Sequence, residues 1–310
     1  MNALHFFLAT ARRSNRTGIL QLLTVLGITA GLLGCAQKNE SQEDDNEEGY
    51  PLIGVVQSVD AERLQMTVAH EEIPGFMEPM TMVFRVGAGD IKVVEPEMRI
   101  KARLVRDEDG GFRLTKIWPI DDRAAKEMRE VNKRLAKQAE ALGSGYYLAE
   151  GDSLPDFALL DQFGEVVKPE DYEGKAFMIN FIFTRCTDAK MCPLSTSKMA
   201  RLQKMAQEAG LSNLEFISVT LDPKFDTPGV LHSYMEAYGI DGQNFRFVTG
   251  EKAAVYQLIR SMGVTNIQDG EENIIHSLAT SLVGPDRKIV MRSTKSAWEP
   301  EAFLEAAKAL

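Results

Sequence analysis

The pattern of apolar and polar positions divides the chain into two parts with different periodicities. Between Leu52 and Trp118 the apolar residues form five short runs, which turn residues such as Pro74 and Gly75 separate. Short runs of this kind are typical of strands, and closing five strands into a barrel leaves no exposed edge. We therefore predict a small all-β barrel. Its strands would be Leu52–Val59, Leu64–His70, Met80–Val86, Met98–Val105 and Phe112–Trp118.

From Leu154 onward, strand-like runs alternate with segments of helical periodicity. The last two runs flank Gly284-Pro285-Asp286, a hairpin signal. This order predicts an α/β sandwich of thioredoxin-like fold. The predicted strands are Phe177–Thr184, Leu214–Leu221, Phe245–Val248, Leu278–Val283 and Ile289–Arg292, and the predicted helices are Pro193–Ala209, Thr227–Tyr238, Lys252–Met262 and Pro300–Leu310.

Residues 124–142 carry apolar side chains at steps of three and four, the spacing of an amphipathic helix. Gly143, Ser144 and Gly145 end this pattern. We expect the helix to be a spacer packed on one domain, since a dimerising coil needs a longer repeat.

The first residues have a different character. Arg12, Arg13 and Arg16 precede an apolar segment, Ile19–Leu33, and no acidic residue occurs before Cys35. A basic region followed by an apolar core describes an export signal. The end of this segment, Leu-Leu-Gly-Cys, resembles a bacterial lipobox, which implies a lipid on Cys35; the alternative is an uncleaved membrane anchor. Either would place the protein in the cell envelope, facing the periplasm or extracytoplasmic side.

These observations predict five segments. They are a lipoprotein signal peptide (1–34), an acidic tether (35–49), the β-barrel (50–120), the connecting helix (121–146) and the thioredoxin-like domain (147–310).

The charge of the chain argues against a nucleic-acid partner. The net charge is −10 at pH 7, and removing the three arginines of the signal lowers it to −13. Binding to nucleic acid would call for a basic surface.

Two cysteines lie on the predicted strand-to-helix turn of the second domain. Cys186 ends an apolar strand, and Cys192 precedes Pro193, which suits a first helical position. The N-H groups and dipole of a helix N-terminus favour a thiolate over a thiol. The pair is therefore a metal site, a redox couple or a structural disulfide.

A second set of soft donors lies in the predicted barrel. Met80 and Met82 are two apart on a strand and so share a face, with His70 at the end of the preceding strand and Met77 nearby. Thioether and imidazole groups suit Cu(I) or Ag(I). The alternative is that the methionines fill the barrel core.

The stretch VAHEEIPGFMEPMTMVFRV resembles the small CusF-type periplasmic copper-binding proteins, which have an OB-like barrel. In that family one His and two Met hold the metal and an aromatic residue caps it. The resemblance implies that His70, Met80 and Met82 bind copper. Met77 occupies the position of the capping Trp, so it would be an additional ligand or would leave the site more open.

The second domain resembles the Sco/SenC copper chaperones. The matching motifs are FTRC ending at Cys186, Cys192 followed by Pro193, LDPKFDTP from Leu221, and His276 in IIHSLATSLVGPDRKIV. The resemblance implies that Cys186, Cys192 and His276 bind copper and serve assembly of the CuA centre of a respiratory oxidase.

One feature departs from the Sco pattern. Five residues, Thr187 to Met191, separate the cysteines, whereas the common family spacing is three. The longer loop leaves redox chemistry open. Asp222 and Asp226 could orient the site, although turn and capping roles would also explain them.

Our leading hypothesis is a membrane-anchored copper carrier with two sites, in which copper passes from one site to the other. Two thiolates and one imidazole suit Cu(I) and also stabilise Cu(II). The expected partner is the cytochrome c oxidase subunit bearing CuA, or another periplasmic copper protein. The alternative is a thiol-disulfide oxidoreductase, in which one cysteine attacks and the other resolves. His276 separates the two, because only the carrier needs it.

Overall fold

The computed structural model describes residues 49–107, 109–143, 145–211, 213–269 and 273–310. Its first domain is a closed barrel with the strand order β1-β2-β3-β5-β4. The strands are β1 (Tyr50–Asp60), β2 (Gln65–His70), β3 (Met80–Arg85), β4 (Arg99–Arg106) and β5 (Phe112–Ile120). A short helix, α1 (Asp90–Val93), lies between β3 and β4. The predicted barrel is confirmed, whereas the sequence did not predict α1.

Alternation along the strands explains why the barrel has a core. On β2, Met66, Val68 and His70 are buried while the residues between them are partly exposed. Phe84 of β3 is fully buried and faces Met66 in the register of the two strands. The inward-facing side chains therefore meet at every second residue, as a pleated sheet requires.

The second domain is built on a seven-stranded sheet of order β14-β13-β8-β9-β10-β6-β7. The strands are β6 (Leu159–Asp161), β7 (Val166–Val167), β8 (Ala176–Ile182), β9 (Leu214–Thr220), β10 (Phe245–Thr249), β13 (Thr280–Val283) and β14 (Ile289–Ser293). Two further strands, β11 (Asn266–Asp269) and β12 (Asn273–His276), form a separate antiparallel hairpin.

Helices cover this sheet. They are α3 (Cys192–Glu208), α4 (Pro228–Ala237), α5 (Lys252–Ser261) and α6 (Pro300–Lys308). The central strands β8, β9 and β10 run parallel, and every residue of β8 is buried. Burial on both faces explains why β8 is apolar at every position except Asn180, whose side chain is hydrogen-bonded to Ser195 and Ser218. The predicted thioredoxin-like sandwich is confirmed.

The connecting helix, α2 (Asp122–Leu142), packs on the second domain against α5. The Asp121 side chain accepts hydrogen bonds from the first N-H groups of the helix and so caps it. Asn132 exchanges two hydrogen bonds of 2.9 Å with the backbone of Ala158. The helix is thus packed on the second domain, and its role as a spacer stays a prediction.

The predicted export signal, Cys35 and the acidic tether up to residue 48 lie outside the described residues. Within the described ranges, every helix is too short or too polar to cross a bilayer.

Candidate metal centres

Cys186, Cys192 and His276 converge at the end of β8. Their donor atoms all lie within 4.8 Å of one another. His276 Nε2 is 3.4 Å from Cys192 Sγ and 3.9 Å from Cys186 Sγ. Both thiols are free, Cys192 buried and Cys186 half-buried. Two sulfurs and one imidazole nitrogen therefore face a common point, which suits a soft ion in three-coordination.

The long loop between the cysteines is folded by Asp188. The Asp188 carboxylate accepts a hydrogen bond from the Lys190 amide at 2.9 Å, and the Asp188 carbonyl accepts one from the Met191 amide at 3.0 Å. This turn shortens the path to α3, which begins at Cys192 with Pro193 in its first turn. Five intervening residues thus still bring the two sulfurs together.

His276 reaches the cysteines from the hairpin β11-β12. The base of the hairpin is held where Ser277 N donates to Thr265 O and Asn266 Nδ2 donates to Leu221 O. His276 Nδ1 lies 3.1 Å from the carbonyl oxygen of Ser277. Because a carbonyl only accepts, Nδ1 carries the proton, and the lone pair of Nε2 points at the sulfurs. The ring also packs edge-on against Phe183, with 5.3 Å between centroids.

The two thiols have opposite acidities. The Cys192 thiol donates a hydrogen bond to Cys186, and this, opposed by partial burial, lowers the pKa of Cys186 to about 4. The same bond, together with burial, raises the pKa of Cys192. Cys186 is therefore a thiolate at neutral pH, whereas Cys192 keeps its proton until a cation arrives.

Two aspartates support the turn that carries Cys186. The buried Asp226 carboxylate accepts hydrogen bonds from Thr184 Oγ1 and Thr220 Oγ1, both at 2.5 Å, and from the Thr184 amide at 3.2 Å. Burial raises the pKa of Asp226 to about 6. Asp222 instead forms an ion pair with Arg185 at 2.7 Å. Both residues contact the strand end beside Cys186, which agrees with an orienting role.

The barrel brings a second set of soft donors together. His70 of β2 lies directly opposite Met80 of β3, and Met82 lies opposite Val68 on the same face. His70 is 4% exposed, whereas Met80, at the rim, is 49% exposed. The three side chains therefore line the barrel from its interior to its mouth.

His70 has the same hydrogen-bond arrangement as His276. Its Nδ1 lies 2.7 Å from the carbonyl oxygen of Glu71, so Nδ1 carries the proton. Its Nε2 is buried and has no hydrogen-bond partner among the described residues. A buried acceptor without a donor is costly, and a bound cation would satisfy it. The chemistry of His70 thus fits a metal ligand better than a core residue.

Met77 occupies a different position from the other three. It lies in the loop after β2, pairs with Ile73 in an isolated β-bridge, and is partly buried against the barrel core. The neighbouring Phe76 stacks on Tyr50 with 4.0 Å between ring centroids. No register pairing joins Met77 to the His70 and Met80 pair in the described barrel.

Sequence reasoning missed several parts of these sites. The Ser277 and Glu71 carbonyls that fix the tautomers are backbone groups, so no residue type reveals them. Phe225 was also missed; the Arg185 guanidinium lies over its ring at 4.1 Å. The hairpin β11-β12 was missed because its strands are only four residues long.

Two family models match the chain. The family model of SCO1/SenC matches residues 148–310, more than half of the chain. The chain belongs to the SCO1/SenC family. The model of the copper binding periplasmic protein CusF matches residues 49–119. Both are copper-binding families, so copper as the bound metal is confirmed at the level of the families.

Individual relatives match the SCO1/SenC domain. The chain is 30% identical to a SCO1 protein homolog of Bacillus subtilis over 137 residues, which is 43% of this chain and 69% of the relative. It is 31% identical to a SCO2-like protein of Rickettsia felis over 142 residues, which is 43% of this chain and 65% of the relative. The chain thus spans about two thirds of the length of these relatives.

Solved structures also resemble this domain. A SCO1/SenC family lipoprotein from Bacillus anthracis is 27% identical, with a TM-score of 0.48, and the match covers 51% of this chain and 94% of that chain. Yeast Sco1 with copper bound is 22% identical, with a TM-score of 0.43, and the match covers 51% of this chain and 91% of that chain.

Proposed function

We propose that this protein is an envelope copper carrier with two sites, which delivers copper to the CuA centre of cytochrome c oxidase. The observation that carries the proposal is the convergence of Cys186 Sγ, Cys192 Sγ and His276 Nε2 within 4.8 Å. A buried thiol, a thiolate and a neutral imidazole would give Cu(I) three soft ligands. Membership of the SCO1/SenC family supports the oxidase as destination, and the lipobox-like sequence at Cys35 supports a lipid anchor.

Each ligand would have a distinct role in copper binding. The Cys186 thiolate is ready for a cation at neutral pH. Cys192 would lose its proton to water when copper binds, because a cation favours the thiolate. His276 would supply Nε2, since its Nδ1 is engaged by the Ser277 carbonyl. In the barrel, His70 Nε2 and the Met80 and Met82 thioethers would hold a second Cu(I), with Met77 as an additional ligand from the loop.

Copper stoichiometry and affinity of the reduced protein test the proposal. We expect one copper ion at each site, with the Cys186→Ser/Cys192→Ser double variant losing one and the Met80→Leu/Met82→Leu double variant losing the other. His276→Ala should weaken the cysteine site about tenfold or more, since one ligand is lost. His232→Ala is the matched control, because His232 is also largely buried but lies on α4 away from any thiol. Unchanged stoichiometry in the cysteine variant would refute the proposal.

A second candidate function is a thiol-disulfide oxidoreductase. The lowered pKa and partial exposure of Cys186 favour it. The Cys186 thiolate would attack a substrate disulfide, and Cys192 would lose its proton and attack Cys186, releasing the reduced substrate and leaving a Cys186-Cys192 disulfide. An external dithiol would have to reduce that disulfide. Reduction of a protein disulfide by His276→Ala at the wild-type rate, with no copper at the cysteines, would favour this candidate.

A further inference from the structure

The barrel is docked on the second domain through a close contact between α1 and α4. A Cβ on Gly89 would overlap the carbonyl oxygen of Gly229, and a Cβ on Gly229 would overlap Asp90 Oδ1. Lys92 of α1 and Glu236 of α4 form an ion pair that also joins the two helices. Because the two glycines have no Cβ, the backbones of α1 and α4 pack in direct contact, so the two domains share a close-packed interface.

The barrel's metal ligands lie at the far end of β3 from this interface. Arg85, the last residue of β3, lines a cavity of about 720 Å³ between the domains, together with Lys116 and Phe225. Met80 is the first residue of β3, and five steps of about 3.3 Å separate it from Arg85 by ~17 Å. Met80 is 49% exposed.

The cysteine site has a cavity of its own. The cavity beside it measures about 500 Å³, and all of its lining residues belong to two segments of the second domain, 183–191 and 274–276. No described barrel residue lines it. A direct transfer needs donor and acceptor ligands around one ion, and among the described residues no barrel ligand lines the cavity of the cysteine site.

We infer that copper passes between the two sites of different molecules, from the barrel of one chain to the cysteine site of another. This inference rests on the proposed function, since both sites must bind copper. Cu(I) would keep its oxidation state. The Cys186 thiolate of the acceptor would enter first through the open cavity and displace a thioether of the donor. Cys192 would then lose its proton to water, and His276 would complete the new site.

The direction follows from the ligands. Two thiolates bind Cu(I) more strongly than two thioethers, because the sulfur is both soft and negatively charged. The barrel would therefore be the receiving site and the cysteine site the delivering one.

The test uses a donor, two acceptors and a control acceptor, all of different mass. The donor is the Cys186→Ser/Cys192→Ser variant loaded with Cu(I) at its barrel. The acceptors are the copper-free, reduced wild type and the Met80→Leu/Met82→Leu variant, and the copper on each is followed by mass spectrometry of the intact proteins. Met98→Leu is the control acceptor, since Met98 is a barrel methionine outside the site whose sulfur accepts from Glu95 N.

We expect all three acceptors to load their cysteine sites at the same rate, and the rate to rise in proportion to acceptor concentration. Loading of the wild type and Met98→Leu but not of Met80→Leu/Met82→Leu would overturn the inference, because copper would then pass through each chain's own barrel. If none of the three acceptors gained copper at its cysteine site, the inference would also be overturned. A donor that holds no copper, or an acceptor that takes none from free Cu(I), would refute the proposed function instead, and both are measured before mixing.

Discussion

Asp90 places a carboxyl group where α1 meets α4, and its replacement by Asn tests the interface between the domains. Burial raises the pKa of Asp90 to about 7, opposed only by a hydrogen bond from the Gly87 amide. Asp90 Oδ1 is buried against Gly229 and has no hydrogen-bond partner among the described residues. The nearest charged groups on the packed helices, Lys92 and Glu236, pair with each other.

The sign and size of the expected change in stability follow from the pKa of Asp90. The folded state holds the Asp90 proton more tightly than the unfolded chain, whose value is 3.8. Stability is therefore lost as the pH rises from about 4 to about 7 and is constant above that range. The cost of the buried charge at pH 8 is up to about 4 kcal/mol. Asn has the same shape without the charge but leaves an amide N-H unpaired, so a net gain of about 2 to 3 kcal/mol is expected at pH 8.

Urea unfolding between pH 5 and pH 8 provides the assay. Trp118 lies in β5 and Trp298 lies in the second domain, so tryptophan fluorescence of each single-Trp variant reports one domain. The free energy of unfolding of Asp90→Asn should be closer to that of the wild type near pH 5 than at pH 8. Asp109→Asn is the control, because Arg85 lowers the pKa of that exposed carboxyl and no gain at high pH is expected. An equal gain for Asp90→Asn at both pH values would refute the reasoning, since a charge effect must titrate.

Two further outcomes concern the cysteine site. Because the pKa of Cys186 is lowered to about 4, its alkylation by iodoacetamide in the reduced, copper-free protein should be nearly constant from pH 6 to pH 8, and Cys192→Ala should make the rate rise with pH. A wild-type rate that rises tenfold per pH unit would contradict this. Asp226→Ala should destabilise the second domain by about 2 to 3 kcal/mol, because the Thr184 and Thr220 hydroxyls lose their buried acceptor. Urea unfolding checks it, with Asp222→Ala as the comparison; equal stability of Asp226→Ala and wild type would contradict the assigned role.

The sequence predicted the strands and helices that bury a continuous apolar face. β8, β9 and α3 are of this kind, because their period and length are unambiguous. It did not predict β6 and β7, which contain three and two residues and are held by pairing with β10 and with each other. Their stability comes from tertiary contacts, so no local pattern marks them.

The site residues could be named because cysteine, histidine and methionine are chemically distinctive at short spacings. The hydrogen bonds and turns that surround these residues could not be predicted. The unpartnered Nε2 of His70 depends on the Glu71 carbonyl, and the convergence across Thr187 to Met191 depends on the turn at Asp188. The placement of α1 against α4 was equally hidden, since it requires two glycines that are far apart in sequence to meet.

The separate hairpin that carries His276 links copper occupancy to local order. β11 and β12 pair only with each other among the described strands, and a two-stranded hairpin alone is of marginal stability in water. Any ion that binds only when His276 is in place stabilises the ordered hairpin by mass action. The seven-stranded sheet is unaffected by this equilibrium. The strength with which this domain retains copper can thus change through residues of the hairpin alone, without any change in the ligands or the core.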